Sequence, residues 1–115
     1  MGKEHRDAQC RAKYEERKVA KDLGCYRKLR RGTDEKEDIE HPFLCIDVKV
    51  RKKLGIFTAF EVLQQWAKRV GKIPVLMWRQ PHKKTRLVVM EYNDWLKVAD
   101  KMNWVIKQKG GNDDR

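Results

Sequence analysis

The chain has 115 residues, with 28 Lys and Arg against 17 Asp and Glu and a formal net charge of +11. That length bounds it to one domain with one core, expected over residues 1–115 with frayed ends at about 1–6 and 107–115. The charge concentrates polyanions around the protein, with nucleic acid as the leading candidate, an anionic membrane as the second, and no such partner as the bland alternative. No apolar run reaches the roughly 18 residues of a membrane span. No apolar stretch follows Lys3 and Arg6 to make a signal peptide, and Arg6 stands where a myristoylation signal needs Ser or Thr. No membrane partner is expected. Cys10, Cys25 and Cys45 are odd in number and, even with His5, His41 and His82, lack zinc-ligand spacing. A reduced, cytoplasmic protein is the plain reading.

Residues 7 to 23 predict a helix. Asp7 is placed to cap it, Ala8, Ala12, Val19 and Leu23 fall near one face, and Tyr14 and Ala20 lie beside them. Gly24 is the expected C-cap. Residues 25 to 31 suggest a short strand with a basic side, and Gly32 to Lys36 a polar turn or loop. Asp38 and Ile39 are a candidate short partner for the strand that follows. Residues 43 to 50, FLCIDVKV, make the clearest strand: Ile46, Val48 and Val50 take one face, Asp47 and Lys49 the other.

A basic loop follows at residues 51 to 55. A second helix is expected from Thr58 or a neighbour to about Val70, with Phe60, Leu63, Ala67 and Val70 as its apolar stripe and Gly71 as its stop. Residues 73 to 79 and 86 to 91 predict two strands around a hairpin-like turn at Pro81 to Thr85. Asn93 or Asp94 is expected to cap a last helix carrying Trp95, Leu96, Val98, Ala99 and Met102, with Trp104 and Val105 near its end. The order is helix, three strands, helix, two strands, helix. It implies an α/β fold with a mixed sheet bracketed by helices.

Asp47 needs explaining. It lies between core-like Ile46 and Val48, where a carboxylate is costly unless paired or bound to a metal. Lys49, two residues on, leaves the same face of the same strand. Asp38 ends the loop that feeds the sheet, and a short strand there could set it opposite Asp47. Two such carboxylates want a cation between them, and oxygen ligands suit Mg²⁺ or Mn²⁺. With Lys49 beside them they would meet the needs of phosphodiester hydrolysis. The simpler alternative is a salt-bridge set on the wet face of an edge strand.

The run from Asp38 through Ile39-Glu40-His41-Pro42-Phe43-Leu44-Cys45-Ile46 to Asp47-Val48-Lys49 resembles the PD-(D/E)xK nuclease superfamily, and within it the small archaeal-type and phage-type Holliday junction resolvases. The likeness covers roughly residues 10 to 96, through Gly71-Lys72-Ile73-Pro74-Val75-Leu76 and the turn at Arg79-Gln80-Pro81. It implies a restriction-endonuclease-like sheet flanked by helices. It also implies a helical active-site glutamate at Glu16, with Glu15 as the alternative, that joins the metal aspartates Asp38 and Asp47 in holding the ion, and the catalytic lysine at Lys49. A supporting glutamine is implied at Gln65, with Gln64 as the alternative. The implied activity is Mg²⁺-dependent cleavage of branched DNA by a homodimer, with Mn²⁺ able to substitute. This chain departs from the pattern in having Asp47 where Glu is usual, and Glu37 where Pro or Gly usually precedes the first aspartate. An extra glutamate at 37 or 40 could compete for the metal.

Three basic groups complete the reading: Arg27, Lys28, Arg30 and Arg31; Arg51, Lys52 and Lys53; and Arg79, Lys83 and Lys84 with His82 and Arg86. They are of the type that grips phosphates without reading bases, so shape selectivity on branched or duplex DNA is expected. Trp66 and Trp78 read as core. Trp95 and Trp104, with Val88, Val89 and Met102, are candidate dimer-interface residues. The alternatives are a nuclease or nicking enzyme for other DNA structures, and a non-catalytic DNA-binding protein.

Overall fold

The computed structural model describes residues 3–28 and 36–106, with side chains described at 10–28 and 36–106. Arg30, Arg31 and the end of the first expected strand lie outside the described residues. The elements are α1 (Lys3–Asp22), β1 (Tyr26–Arg27), β2 (Ile39–Glu40), β3 (Leu44–Val50), α2 (Ile56–Val70), β4 (Ile73–Arg79), β5 (Leu87–Val89) and α3 (Tyr92–Lys101). Their order and types are those expected; three helix starts differ. Nothing in Lys3 to Arg6 breaks a helix, so α1 begins at Lys3 and Asp7 lies within it instead of capping it. α2 starts at Ile56, two residues before Thr58, with Gly55 as its N-cap in an extended conformation and no side-chain cap. The Glu91 carboxylate caps α3 by accepting from the Asn93 and Asp94 backbone N–H groups, so those two residues sit inside the helix. Both helix stops hold: Gly24 and Gly71 take the left-handed conformation, at φ 68° and 70°, that ends a helix without a Cβ clash.

The five strands form one mixed sheet in the order β1-β2-β3-β4-β5. β3 pairs antiparallel with β2 and parallel with β4; the pairs β1–β2 and β4–β5 are antiparallel. A parallel pair needs a long crossover, which α2 supplies. β3 is therefore central, and the wet edge-strand alternative for Asp47 and Lys49 does not apply.

Strand alternation divides the core between the two sheet faces. On one, Ile39, Ile46, Val48 and Met77 pack with Ala20 of α1. On the other, Cys45 and Leu76 pack with Phe60, Leu63 and Ala67 of α2. Asp47 and Lys49 share the parity of Cys45 and so belong to the α2 face. Burial pushes the Cys45 thiol up to about 12, which keeps it protonated and unreactive at neutral pH. Among the described residues, no helix is long and apolar enough to cross a membrane.

Glu15 locks α1 to the far side of the sheet. It is fully buried and accepts hydrogen bonds from Arg86 Nε at 2.8 Å and Nη2 at 2.9 Å. Arg79 Nε adds an ion pair at 3.3 Å. Removing one member of such a cluster leaves the remaining charges partly desolvated. Glu15→Ala is expected to lower unfolding stability by roughly 3 kcal/mol, read from the denaturant midpoint. A change within about 0.5 kcal/mol, the size of an ordinary surface substitution, would contradict this role.

Candidate functional site

The backbone at the end of β2 brings Asp38 against Asp47. The Asp38 N–H donates to the Ile46 carbonyl at 2.8 Å. Its carboxylate Oδ2 accepts from the Val48 N–H at 2.7 Å. These two bonds bracket Asp47, and extending the Ile39–Ile46 register by one residue sets Asp38 opposite it. A side chain thus takes over as acceptor where the short strand β2 stops. Both carboxylates are almost wholly buried. Opposed residues in an antiparallel pair lie about 5 Å apart at Cβ. Two full charges at that spacing repel by roughly 3 kcal/mol at an effective dielectric of about 20. Lys49 offsets part of this, with Nζ 3.4 Å from Asp47 Oδ2.

Asp47 and Lys49 open into a groove of about 440 Å³ on the α2 face. Its apolar wall is Leu54, Ala59 and Val62; Gly55 and Thr58 bring the first turn of α2 to its rim, and Lys36 and Arg51 add positive charge. Across the β3–β4 register Lys49 is beside Trp78, whose indole N–H donates to the Arg51 carbonyl at 2.8 Å. Trp78 in turn lines a groove of about 270 Å³ with Lys83 and Lys84, at the hairpin between β4 and β5. Arg51, Lys83 and Lys84 thus border the same sheet face as the acids.

Glu37 is a buried residue whose part the sequence does not disclose. Lys72 Nζ donates to its Oε2 at 2.7 Å. Trp66 Nε1 and Lys28 Nζ donate to its Oε1 at 3.3 and 3.4 Å. The cluster ties the segment before Asp38 to α2 and to the residue that precedes β4. Burial pushes the Glu37 carboxyl up, but the hydrogen bonds from Lys72 and Trp66 and the charges of Lys28 and Lys72 outweigh it and hold the group below its ordinary value. Its charge is therefore committed to these partners. Glu40 is exposed.

The other expected site residues disperse. Glu16 is ion-paired with Arg27 at 2.9 Å on the α1 side of the sheet. Glu15, its alternative, is held by Arg79 and Arg86. Among the described residues, no three His, Cys, Asp or Glu side chains come together to hold a metal, so Glu16 does not join Asp38 and Asp47 here. Gln65 is exposed on α2 and lines a second groove with Trp66, while Gln64 is half-buried. Of the expected phosphate contacts, Arg27, Lys28 and Arg79 are engaged in ion pairs inside the protein. Arg51, Lys52, Lys53, Lys83 and Lys84 are exposed.

The donor set at Asp38 and Asp47 fits a hard divalent cation. Mg²⁺ is commonly held by one or two carboxylates and completes its shell with water or phosphate oxygens. A scan against protein-family models and a search of curated proteins give no match to the chain.

The Glu37 cluster has a pH signature. A carboxyl whose folded pKa is depressed contributes stability that is complete above its unfolded value, near 4.5, and is lost as pH falls through the lower folded value. Glu37→Gln should therefore be less stable than the wild type at pH 7. The gap should narrow as pH drops below about 4. Thermal unfolding of both proteins between pH 7 and pH 3 measures this, and a gap independent of pH would contradict it.

Proposed function

We propose that this chain is a metal-dependent, structure-selective DNA endonuclease that cleaves phosphodiester bonds at four-way (Holliday) junctions as a homodimer. The observation that carries the reading is the juxtaposition of buried Asp38 and Asp47 on and beside the central strand, with Lys49 on the same face and a cationic groove above them. A mixed sheet flanked by helices is the architecture that the PD-(D/E)xK resemblance implies, and the restriction-endonuclease-like fold is part of this proposal.

Asp38 and Asp47 would hold Mg²⁺, or Mn²⁺ in its place, through their carboxylate oxygens. The chemistry such an ion supplies when bound is charge neutralisation and Lewis-acid polarisation at the phosphodiester. Lys49 faces the same groove, where its ammonium can leave Asp47 for the negative charge that builds on the phosphoryl oxygens during attack. The apolar wall of Leu54, Ala59 and Val62 limits water around that charge and strengthens the interaction. Arg51, Lys52 and Lys53 on one side and Lys83 and Lys84 on the other would hold flanking phosphates by charge, without reading sequence.

Asp38→Asn and Asp47→Asn should each abolish cleavage of a four-way junction in Mg²⁺ while leaving junction binding intact or tighter. Lys49→Ala should retain the fold and slow cleavage at least about 10²-fold, the low end for removal of a group that stabilises transition-state charge. The measurement is a panel of junction, flap, nicked and linear duplexes with and without Mg²⁺. Wild-type rates in both aspartate variants would remove the site assignment. Junction binding with no metal-dependent cleavage would make the protein a binding module.

Dimerisation has its own support. Val88 and Trp104 are 66% and 60% exposed, and Trp95 and Met102 are also exposed, so apolar surface at β5, α3 and the segment after it is left for a partner. Val89 instead packs against the α2-side core and drops out of that surface. Two-fold symmetry would supply a second Asp38–Asp47 pocket for the second strand of a junction. Sedimentation at micromolar concentration should give a dimer, and Trp104→Glu should shift it to monomer. A wild-type monomer would overturn the dimer.

A further inference from the structure

Resting on the nuclease reading of Asp38, Asp47 and Lys49, we propose that the cleaved DNA strand lies along α2 in one continuous trough, with Lys36 and Arg69 gripping backbone phosphates beyond the cleaved bond. The groove above Asp47 reaches Lys36 and Val62. A second groove, of about 240 Å³, is lined by these same two residues and continues to Gln65, Trp66 and Arg69. The α2 residues that line the pair, including the N-cap, are 55, 58, 59, 62, 65, 66 and 69. Their spacing of three and four is one unbroken helical stripe. It covers 14 helical steps, or ~21 Å at 1.5 Å each. That is the length of about six nucleotides at the 3.4 Å rise of one DNA strand.

Charge along the trough suits a phosphate backbone. Arg51 and Lys49 lie at the end near the first turn of α2, Lys36 at the join and Arg69 at the far end. Lys36 and Arg69 differ from Arg27, Lys28, Lys72, Arg79 and Arg86, which are consumed by ion pairs within the protein. Neither Lys36 nor Arg69 has an ion-pair partner among the described residues, so both charges remain available. Trp66 gives the far groove an apolar wall fixed in place by its bond to Glu37. A metal pocket needs its substrate strand to approach from a defined side, and this stripe supplies a charged path to Asp47.

The test is binding of a fluorescein-labelled four-way junction in EDTA, followed by anisotropy over a range of salt. The double variant Lys36→Ala/Arg69→Ala should bind at least about 10-fold more weakly and flatten the slope of log K against log salt by roughly one to two. Arg69→Lys should retain wild-type affinity, because the contact needs charge and not a planar fork. Lys68→Ala is the control: it is an exposed cation on the same helix that lines neither groove, and it should change little. Wild-type affinity and slope in the double variant, or an equal loss in Lys68→Ala, would overturn the trough. Cleavage in Mg²⁺ is measured beside it. Cleavage with binding indifferent to Lys36 and Arg69 sinks the trough and spares the nuclease. Trough-dependent binding without wild-type cleavage sinks the nuclease and spares the trough.

Discussion

Four carboxylates, Glu15, Glu37, Asp38 and Asp47, are almost entirely removed from water, and each must be answered inside the fold because an uncompensated buried charge costs several kcal/mol. The answers differ in kind. Glu15 is met by two guanidinium groups, one from the end of β4 and one from just before β5. Glu37 is met by two ammonium groups and an indole. Asp38 receives the Val48 backbone N–H, and Asp47 pairs with the Lys49 ammonium at 3.4 Å. The first two are cross-links that hold α1, α2 and the hairpin to the sheet. Asp38 and Asp47 face each other instead, on and beside the strand that the cross-linked elements enclose. Two bonds fix that opposition: the Asp38 N–H donates to the Ile46 carbonyl, and the Val48 N–H donates to Asp38 Oδ2.

The same requirement explains what the sequence reveals. Strand β3 is legible because an apolar run from Phe43 to Ile46 passes into alternation, with Ile46 and Val48 on one face and Asp47 and Lys49 on the other; its central place in the sheet is not legible, and an edge strand fits the same pattern. The short β2 is legible only as a consequence, since Asp38 had to come opposite Asp47 for the acids to make sense. Gly24 and Gly71 mark helix ends because few other residues take the left-handed conformation cheaply. Helix starts are harder. Gly55 caps α2 without a side chain, and Glu91 caps α3 from a position that usually favours shorter polar residues.

The choice between Glu15 and Glu16 shows where local pattern fails. Position 15 lies three residues after Ala12 and four before Val19, on the apolar stripe, so burial of Glu15 was available from the periodicity. Its purpose was not, because its partners Arg79 and Arg86 come more than 60 residues later. Glu37 is similar. Its partners Lys28, Trp66 and Lys72 come from three separate segments, and no spacing rule connects them. Long-range ion clusters leave no periodic trace; only an acid out of place hints at them.

Net charge and available charge also part company here. The formal excess is +11, yet Arg27, Lys28, Lys72, Arg79 and Arg86 spend their charge on acids of the chain itself. Reading basic clusters directly from sequence therefore overstates the α1 side and the strand ends. The cations left exposed include the β3–α2 loop, the β4–β5 turn and the outer stripe of α2, all of which adjoin the α2 face. A polyanion attracted by such a field would be drawn toward the face into which Asp47 opens. Two buried acids beneath a cationic rim would repel a phosphate at close range unless a cation intervened. On the proposed nuclease reading, attraction at long range and repulsion at short range would make a metal necessary for chemistry but not for capture.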